Sequence, residues 1–214
     1  MTQSVSVRAA RGKEDLKAFL DVPFALYRND PNWIAPLYIE RLEHLDPKKK
    51  PYFQHADVEL FLAVRDGRPV GRISAQLCRL RSARYKDGVG QFGFLEAEND
   101  PEVFAALLAA ASAWLKQRGA TAMQGPFSFS INDETGLLIE GFDTPPSMMM
   151  GHALPYYATH LEALGFGKVK DVIAYDFLDP GAAPRALKSA YEKAMADPDV
   201  VLRPLDKKRL MKEL

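Results

Sequence analysis

Apolar residues along this chain follow two spacings, which predict strands and helices respectively. In the first half the pattern predicts a strand at 5–8, a helix at 13–20, short helices and turns over 21–57, and strands at 58–64, 70–77 and 89–96. In the second half it predicts a helix at 101–118, a strand at 121–125, a loop at 127–133, a strand-like run at 136–142, a helix at 155–164, a strand at 168–178 and a helix at 184–195. Strands and helices therefore alternate, as in an α/β fold.

Two short motifs define where elements begin or turn. Asp66-Gly67 between two apolar runs predicts a tight hairpin, because both central positions of that turn need a positive φ. Asn99-Asp100-Pro101-Glu102 predicts a helix start, with a capping side chain, a proline in the first turn and an acid near the positive end of the helix dipole. We expect this helix to stop at Gly119, since glycine adopts the left-handed conformation that ends helices.

The predicted helix at 101–118 is apolar on almost every side. Large apolar residues form one stripe, and most of the other positions are alanine. The members of the stripe are Val103, Phe104, Leu107, Leu108, Ala111, Trp114 and Leu115. Such a helix is expected to be buried, here against a mixed, mainly antiparallel sheet. In the strand before it, Phe92 and Phe94 are two positions apart and are expected on one face.

Composition excludes several classes of protein. The 214 residues include 28 Lys or Arg and 28 Asp or Glu, so the basic excess typical of nucleic-acid binders is missing. The longest uncharged apolar stretch, 103–115, is shorter than the roughly 20 residues of a membrane-spanning helix. The N-terminus lacks the apolar run of a secretion signal, and the single cysteine, Cys78, cannot form an internal disulfide. We expect a cytoplasmic globular protein.

A sequence echo near the end bears on domain organisation. Residues 200–205 repeat the pattern of residues 5–10, and a Leu-x-x-x-Leu pair follows each copy. Chance similarity of two strand–helix units is the alternative explanation. Because the second copy follows a complete set of elements, we predict one domain at 1–198 and the start of a second, truncated domain at 199–214.

Five segments together carry a family resemblance: Asp30-Pro31-Asn32-Trp33, Leu45-Asp46-Pro47-Lys48, 61–73, 132–138 and Gly141-Phe142-Asp143. In this order they resemble a group of longer bacterial proteins of the GNAT superfamily, which are acyl-CoA-dependent N-acyltransferases. Each member of the group resembles two GNAT-like halves joined in one chain. Some members are linked to acylation of long-chain amines in bacterial sphingolipid synthesis. The resemblance implies a GNAT-like α/β fold with a mixed, mainly antiparallel sheet flanked by helices.

The resemblance also implies acyl-CoA as cosubstrate, yet one family motif is absent. GNAT enzymes bind the CoA pyrophosphate with an Arg/Gln-x-x-Gly-x-Gly/Ala loop at the start of the buried helix, where N–H groups face the anion. This chain has Glu96-Ala97-Glu98-Asn99-Asp100-Pro101-Glu102 there. The four acidic side chains should repel phosphate, and the proline has no N–H to donate to it. We expect a second half of the protein to make most of the contacts with acyl-CoA. The sequence does not identify the residues that make them.

Candidate catalytic residues follow the strand at 121–125. Asp133 or Glu134 would deprotonate an amine if burial raised its pKa, with Asn132 and Ser130 as substrate-binding neighbours. An Asx-type turn that caps the next segment is the alternative, and the sequence leaves both open.

A tyrosine acid is a second feature that the resemblance implies. Family enzymes often place it four residues before a glycine such as Gly165, where this chain has Leu161. Tyr156 and Tyr157, one to two turns earlier, are therefore the candidates for this role.

Met148 and Met149 are candidate substrate-binding residues, because thioethers adapt to an acyl chain or to pantetheine. Core packing is the alternative for them. The basic segment 79–86 is expected to be a solvated loop, with phosphate contact as its alternative. Cys78 is expected to be buried in a strand without a histidine partner. His152 and His160 lack a third ligand, so we expect no metal.

Two functions fit these observations. The chain can be half of a two-domain N-acyltransferase that transfers an acyl group from acyl-CoA to a small-molecule or lipid amine. A strand N–H would then stabilise the oxyanion. Alternatively, it can be a non-catalytic half that shapes a substrate site or forms an interface, which the acidic segment 96–102 favours. Neither function involves nucleic acid, and the sequence leaves an oligomer open.

Overall fold

The computed structural model describes residues 4–175, 181, 184–201 and 203–209. The chain divides into two compact units, Met1–Lys170 and Asp171–Leu214. The first unit contains β1 (Ser6–Ala9), α1 (Gly12–Leu26), α2 (Tyr38–His44), β2 (Ala56–Arg65), β3 (Arg68–Cys78), α3 (Arg79–Tyr85), β4 (Val89–Ala97), α4 (Pro101–Lys116), β5 (Ala122–Gln124), β6 (Phe127–Ser128), β7 (Glu134–Thr135) and α5 (Tyr156–Ala163). The second contains α6 (Arg185–Ala196). Short 3-10 helices lie at Pro51–Gln54 and Lys207–Arg209.

Five strands of the described chain form one sheet in the order β1-β2-β3-β4-β5. Neighbours pair antiparallel except for the parallel pair β4–β5. One face, called the α4 face here, packs against α4 and α5. The opposite face, the α1 face, packs against α1 and the 3-10 helix at Pro51–Gln54. The predicted fold class, a mixed, mainly antiparallel sheet flanked by helices, is confirmed.

Both local motifs behave as predicted. Asp66 and Gly67 have φ values of 51° and 76° in the turn between β2 and β3, as the hairpin requires. Helix α4 begins at Pro101 and Gly119 follows it with a φ of 85°. Trp114 of α4 is 8% exposed and lies in the α4-face core. Within the described ranges, no helix is long and apolar enough to cross a lipid bilayer.

A β-bulge in β4 breaks the regular pairing with β3. Between the pairs Arg72–Glu96 and Ser74–Gly93, β3 has one residue and β4 has two. The first of these two, Phe94, has a φ of 46°. A bulge of this kind adds one residue to a strand and bends it locally.

The extra residue reverses which side chains of β4 point to each face. Phe92 belongs to the α4-face core, whereas Phe94 belongs to the α1-face core. The expectation that these two rings share a face is therefore wrong. Beyond the bulge the even-numbered residues face α1, and this places the Glu96 side chain on that side.

Helix α1 continues to Leu26 through Pro23, beyond the predicted end at 20. Proline has no N–H, so the carbonyl oxygen of Phe19 one turn earlier loses its helical donor. The Arg72 Nη1 group donates to this oxygen at 3.0 Å. A guanidinium from β3 thus replaces the missing donor, and the proline remains inside the helix.

Several other predicted elements differ from the structure. Residues 168–175 form no strand, and 176–178 lie outside the described residues. Residues 136–142 form no strand either, because Leu137 and Leu138 pack against the core without a strand partner. Two residues of the predicted loop at 127–133 form β6. The basic segment is helix α3 rather than a loop, since the Cys78 Sγ accepts a hydrogen bond from the Arg81 N–H at 3.4 Å and caps it.

The boundary between the two compact units lies after residue 170, before the predicted boundary at 198. The described residues of the segment 199–209 contain a 3-10 helix and no strand. Residues 210–214, which hold the end of the sequence echo, lie outside the described part. A second domain that begins at 199 stays a prediction.

Candidate active site

A pocket of about 110 Å³ opens on the α1 face beside the bulge of β4. Polar side chains from several elements line it: Arg41, Arg72, Glu96, Glu134 and His152. Apolar side chains that are 36–59% exposed also line it: Ile34, Tyr38 and Met150. The pocket therefore combines a charged interior with an apolar mouth.

Glu96 is the carboxylate that β4 contributes to this pocket, and its side chain is 13% exposed. The Tyr27 and Tyr157 hydroxyls donate to its Oε2 at 2.5 and 2.8 Å. The Arg72 Nη2 lies 3.7 Å from its Oε1. Burial raises the pKa of Glu96 and outweighs the opposing effects of Arg72 and the two hydroxyls. A carboxyl group with a raised pKa at a pocket is suited to take a proton near neutral pH.

The two tyrosines reach Glu96 from different helices. Tyr27 follows the last residue of α1, and Tyr157 lies in the first turn of α5. The Tyr157 hydroxyl also accepts a hydrogen bond from the Ala97 N–H at 3.1 Å. Burial raises the pKa of both phenols well above the usual value, so they remain neutral donors. They fix the orientation of the carboxylate.

Arg72 links this carboxylate to the α1-face core. The residue is 8% exposed, and its guanidinium carbon lies 5.0 and 5.6 Å from the ring centres of Phe19 and Phe94. Its bond to the Phe19 carbonyl holds α1 against the sheet. A buried cation next to Glu96 also limits the cost of burying the carboxylate.

His152 and Asp30 form a second polar pair at the pocket. The His152 Nε2 lies 2.7 Å from the Asp30 Oδ2, and the histidine side chain is 5% exposed. Burial alone would raise the pKa of Asp30, but hydrogen bonds from His152 and the Asn32 N–H lower it. The ring of His152 packs edge-on against the ring of Tyr27, with 5.2 Å between centres. Tyr27 therefore contacts both this pair and Glu96.

Two curated bacterial proteins are similar in sequence. The chain is 51% identical over 179 residues to protein YghO of Escherichia coli (strain K12). This match covers 82% of the chain and 46% of protein YghO. The chain is also 44% identical over 211 residues to bacterial ceramide synthase of Caulobacter vibrioides. This match covers 98% of the chain and 55% of the synthase. The chain thus spans about half the length of these relatives. The predicted resemblance to longer bacterial proteins is confirmed. No protein-family model matches.

Solved structures also align with the chain at low identity. An aminoglycoside N-acetyltransferase, AAC(6')-Iy, in complex with CoA has a TM-score of 0.49 and 16% identity, and the match covers 84% of this chain and 97% of that one. A tandem GNAT protein from the clavulanic acid biosynthesis pathway also has a TM-score of 0.49 and 16% identity. That match covers 76% of this chain and 43% of the tandem protein. At these identities the likeness concerns the fold alone.

The start of α4, where GNAT enzymes bind the pyrophosphate, is occupied by groups of this chain. The Asp100 side chain accepts a hydrogen bond from the Glu102 N–H at 2.8 Å. The Asp100 carbonyl accepts from the N–H groups of Val103 and Phe104 at 3.1 and 3.3 Å. Pro101 has no N–H to offer. The first-turn donors that a phosphate would need are thus already used.

The acids of the segment 96–102 are paired with arginines rather than facing one another. Glu98 pairs with Arg68, and Asp100 and Glu102 pair with Arg65 at 2.7 and 2.8 Å. The strong repulsion expected from the sequence is therefore offset by the β2–β3 hairpin. The occupied N–H groups become the main reason to expect weak phosphate binding here.

Asp133, a predicted base, lies in a second pocket of about 720 Å³. Lys50 Nζ contacts its Oδ1 at 2.5 Å, and the Ser130 hydroxyl donates to its Oδ2 at 2.7 Å. Burial alone would raise the pKa of Asp133, but these bonds lower it. The Ser130 N–H also donates to Asp133 at 3.2 Å, so the side chain closes the loop before it, whereas an Asx turn would bond to an N–H two residues later. Its catalytic role stays a prediction.

The other members of the predicted cluster are divided between the two pockets. Glu134 lines the pocket of Glu96 and is paired with Arg41 of α2. Ser130 and Asn132 line the second pocket instead. The sequence placed these residues together because they are neighbours in the chain, whereas the β6–β7 turn points them in different directions.

The two candidate tyrosines also differ in what they contact. The Tyr156 hydroxyl donates to the Ala97 carbonyl at 2.7 Å, and burial raises the pKa of Tyr156 to about 12. Tyr157 instead contacts Glu96. Tyr157 is therefore the one that takes part in the site, as a donor to the carboxylate.

Met148 and Met149 are 91% and 58% exposed, so neither is packed in the core. Met149 has a φ of 65°, within a turn of the chain. The third methionine of the run, Met150, lines the mouth of the first pocket. Binding of an acyl chain or of pantetheine at Met148 and Met149 stays a prediction.

Cys78 departs from its expected surroundings. It is half-buried at the end of β3, and its Sγ lies 3.4 Å from the His55 Nδ1, so the expectation of no histidine partner is wrong. His160 bonds to Asn99 at 2.8 Å and His152 to Asp30 at 2.7 Å, so the two histidines have different partners. Across the described residues, no group of three or more His, Cys, Asp or Glu side chains could hold a metal ion.

Of the residues that build the first pocket and its surroundings, the sequence singled out Glu134 and Tyr157 but not Glu96, Arg72 and Asp30. In the sequence Glu96 stands at the start of an acidic segment, although it also belongs to a strand whose other members carry no charge. Asp30 belongs to one of the five segments that carry the family resemblance, and Arg72 lies in the predicted hairpin. A charged residue inside an apolar strand is the signal that points to Glu96 and Arg72.

Proposed function

We propose that the protein is an acyl-CoA-dependent N-acyltransferase, and that this chain carries the amine site with Glu96 as the base. The observation that carries the proposal is the largely buried Glu96 carboxylate, which two tyrosines hold at the bulge of β4. The 44% identical relative named bacterial ceramide synthase supports the reaction class, because a ceramide is an N-acylated long-chain amine.

The proposed reaction is direct attack of the amine on the thioester. The nitrogen forms a bond to the carbonyl carbon, Glu96 takes the proton that the nitrogen loses, and the carbon–sulfur bond breaks. The sulfur of CoA leaves and takes up one proton. A bulge leaves backbone groups outside the strand ladder. The Phe94 N–H at the bulge donates to the Ser128 hydroxyl at 3.2 Å, so it would stabilise the oxyanion only by exchanging that bond for one to the substrate.

The shape of the pocket supports a long-chain amine as substrate. Its volume of about 110 Å³ exceeds the roughly 10–15 Å³ that a cavity needs to hold one water, so it has room for a small polar head. The alkyl chain must then leave through the mouth, where Ile34, Tyr38 and Met150 are 59%, 36% and 39% exposed. Apolar side chains in that position favour an alkyl chain over a second polar group.

Assay of the chain with an acyl-CoA and a long-chain amine tests this proposal. Mass spectrometry should detect the amide, and a thiol reagent should detect free CoA in equal amount. The full-length Caulobacter relative is the matched control for the substrates. Product from that control and none from the chain, despite amine binding, would contradict catalysis by this half.

The alternative, a non-catalytic half that shapes the amine site, is supported by one observation. The donors at the start of α4 are used by Asp100, so this half offers CoA phosphates no free helix start. The assay above separates the two candidates, because only a catalytic half forms amide alone.

Isothermal titration of CoA into the chain is expected to show binding weaker than micromolar. The reason is that a phosphate at α4 would have to displace the hydrogen bonds of Asp100. The full-length relative is expected to bind more tightly under the same conditions. Micromolar binding by the chain, lost on changing residues at 99–102, would place the pyrophosphate at this helix after all.

A further inference from the structure

Three polar side chains that line the second pocket have no hydrogen-bond partner among the described residues. The Tyr52 hydroxyl is buried without a partner, and the side-chain amides of Gln91 and Gln124 form no hydrogen bond. Tyr52 and Gln91 are each only 7% exposed. Because a buried polar group without a partner is costly, three of them at one pocket indicate the polar group of a ligand.

Strand pairing places the two glutamines side by side. Gln91 of β4 is the register partner of Gln124 of β5, and neighbouring strands lie about 4.8 Å apart. Gln91 also pairs with Gln76 of β3. The Gln76 amide accepts from the Ser74 hydroxyl at 2.8 Å and donates to the Phe127 carbonyl at 2.7 Å. Three glutamines thus form a row across the sheet, and the two that line the pocket keep their donors and acceptors for a ligand.

Charged side chains of the second pocket already have partners within the protein. Lys50 contacts Asp133 at 2.5 Å. Arg81 donates to both carboxylate oxygens of Asp87, at 2.9 and 2.8 Å. A charged ligand would have to compete with one of these pairs, whereas a neutral ligand leaves them intact. The pocket therefore favours a neutral ligand.

The second pocket is separate from the pocket of Glu96. Among the described residues, none lines both pockets. The buried Phe129 ring contacts a ring of each, since its centre lies 5.2 Å from that of Tyr52 and 5.0 Å from that of Phe94. Gln91 is near the first residue of β4, whereas α4 begins beyond the last. A ligand at Gln91 is therefore remote from both the proposed base and the start of α4.

A carboxamide matches the three unpartnered side chains. Burial raises the pKa of Tyr52, so its hydroxyl remains a donor. The carbonyl oxygen of a ligand amide accepts from this hydroxyl and from one glutamine NH₂, while the amide N–H donates to the carbonyl oxygen of the other glutamine. A hydroxyl would have to satisfy all three side chains with a single oxygen, and an ester has no N–H to donate.

Apolar side chains at the same pocket provide for the rest of the ligand. Leu80, Tyr85 and Ile131 line it and are 63%, 62% and 67% exposed. An alkyl substituent on the amide would cover part of this apolar surface. The volume of about 720 Å³ is in the range of roughly 300–1,000 Å³ that is usual for pockets of small organic ligands.

We infer that the second pocket binds a neutral secondary amide that carries an alkyl chain, and that Gln91, Gln124 and Tyr52 contact the amide group. An N-acylated alkylamine, the product of the proposed reaction, belongs to this class of ligand. The inference itself rests on the second pocket alone, because binding there requires neither turnover nor CoA.

Titration of the ¹⁵N-labelled chain with N-hexylacetamide tests the inference. Hexyl acetate is the matched probe, since it differs only by an oxygen in place of the N–H. Nuclear magnetic resonance gives both dissociation constants and reports directly on the side-chain NH₂ signals of Gln91 and Gln124, which the methionine variants assign. The amide should shift both signals and bind about tenfold more tightly than the ester, which corresponds to one net hydrogen bond.

The double variant Gln91→Met/Gln124→Met should bind the two probes equally. Tyr52→Phe should weaken both probes alike by about tenfold, because both carry a carbonyl oxygen. The matched control is Gln117→Met, an exposed glutamine that follows α4, and it should keep the preference for the amide. Gln124→Met alone, at the half-buried position, replaces the double variant if circular dichroism shows that the latter does not fold.

Equal binding of amide and ester by the native chain, or a preference that survives in the glutamine variants, overturns the inference. Absence of any shift also overturns it, since water then satisfies the three side chains. Shifts of the same signals by CoA at lower concentration than by the amide would assign the pocket to the cosubstrate and overturn a separate amide site. Amide formation without binding here contradicts this inference and leaves the proposed function intact, whereas binding without amide formation does the opposite.

Discussion

Replacing Glu96 by glutamine is expected to lower the rate of amide formation about a hundredfold to ten-thousandfold, the usual contribution of a general base. Glutamine keeps the size of the side chain and can still accept from Tyr27 or Tyr157, but it cannot take a proton. Folding should therefore be retained, which circular dichroism checks, while kcat falls. The measurement is kcat for amide formation at saturating amine.

Glu98→Gln is the control, because Glu98 pairs with Arg68 outside the pocket, and it should leave the rate unchanged. The pH profile gives a second readout. Burial raises the pKa of Glu96, so the rate should increase with pH through a value above that of an ordinary glutamic acid. This acidic limb should vanish in Glu96→Gln. A glutamine variant with native kcat would remove Glu96 from the mechanism.

Trp114→Ala is expected to lower the free energy of unfolding by about 3–5 kcal/mol, as for other large aromatic truncations in a core. The ring is 8% exposed and packs in the α4-face core. The Arg118 guanidinium carbon also lies 3.7 Å from its ring centre, and this contact would be lost. Equilibrium unfolding in urea measures the change.

Trp114→Phe tests whether size or the indole N–H matters. The Trp114 Nε1 is buried and has no partner in the described ranges, so loss of this donor costs little. We expect the phenylalanine variant to lose less than about 1.5 kcal/mol. A cost below about 1 kcal/mol for alanine would mean that the cavity closes or that α4 packs more loosely than the structure shows.

Local patterns were sufficient where neighbours in the sequence are also neighbours in space. The Asp66-Gly67 hairpin and the start of α4 are both confirmed, because each depends on a few consecutive residues. The strand predicted at 168–178 failed over its described residues for the opposite reason. Alternation alone cannot show whether a sheet edge is available for pairing.

The path of α1 shows how a distant residue overrides a local rule. Pro23 alone favours an interrupted helix, and the sequence therefore predicts short helices and turns from residue 21 onward. Arg72, far along the chain, bonds to the carbonyl that the proline leaves free. This compensation exists only once β3 lies beside α1.

The sequence by itself determined the fold class, the hairpin, the buried helix and the resemblance to GNAT proteins, because these follow from periodicity, turn chemistry and motif order. Only the tertiary structure decided the site. The single extra residue at Phe94 turns Glu96 from the α4 face to the α1 face, where Tyr27 and Arg72 contact it, while the Tyr157 hydroxyl reaches it from the α4-face core. The alternation of side chains along a strand sequence does not show where an extra residue interrupts it. The bulge exists only where β4 pairs with β3, and this pairing decides which face Glu96 occupies.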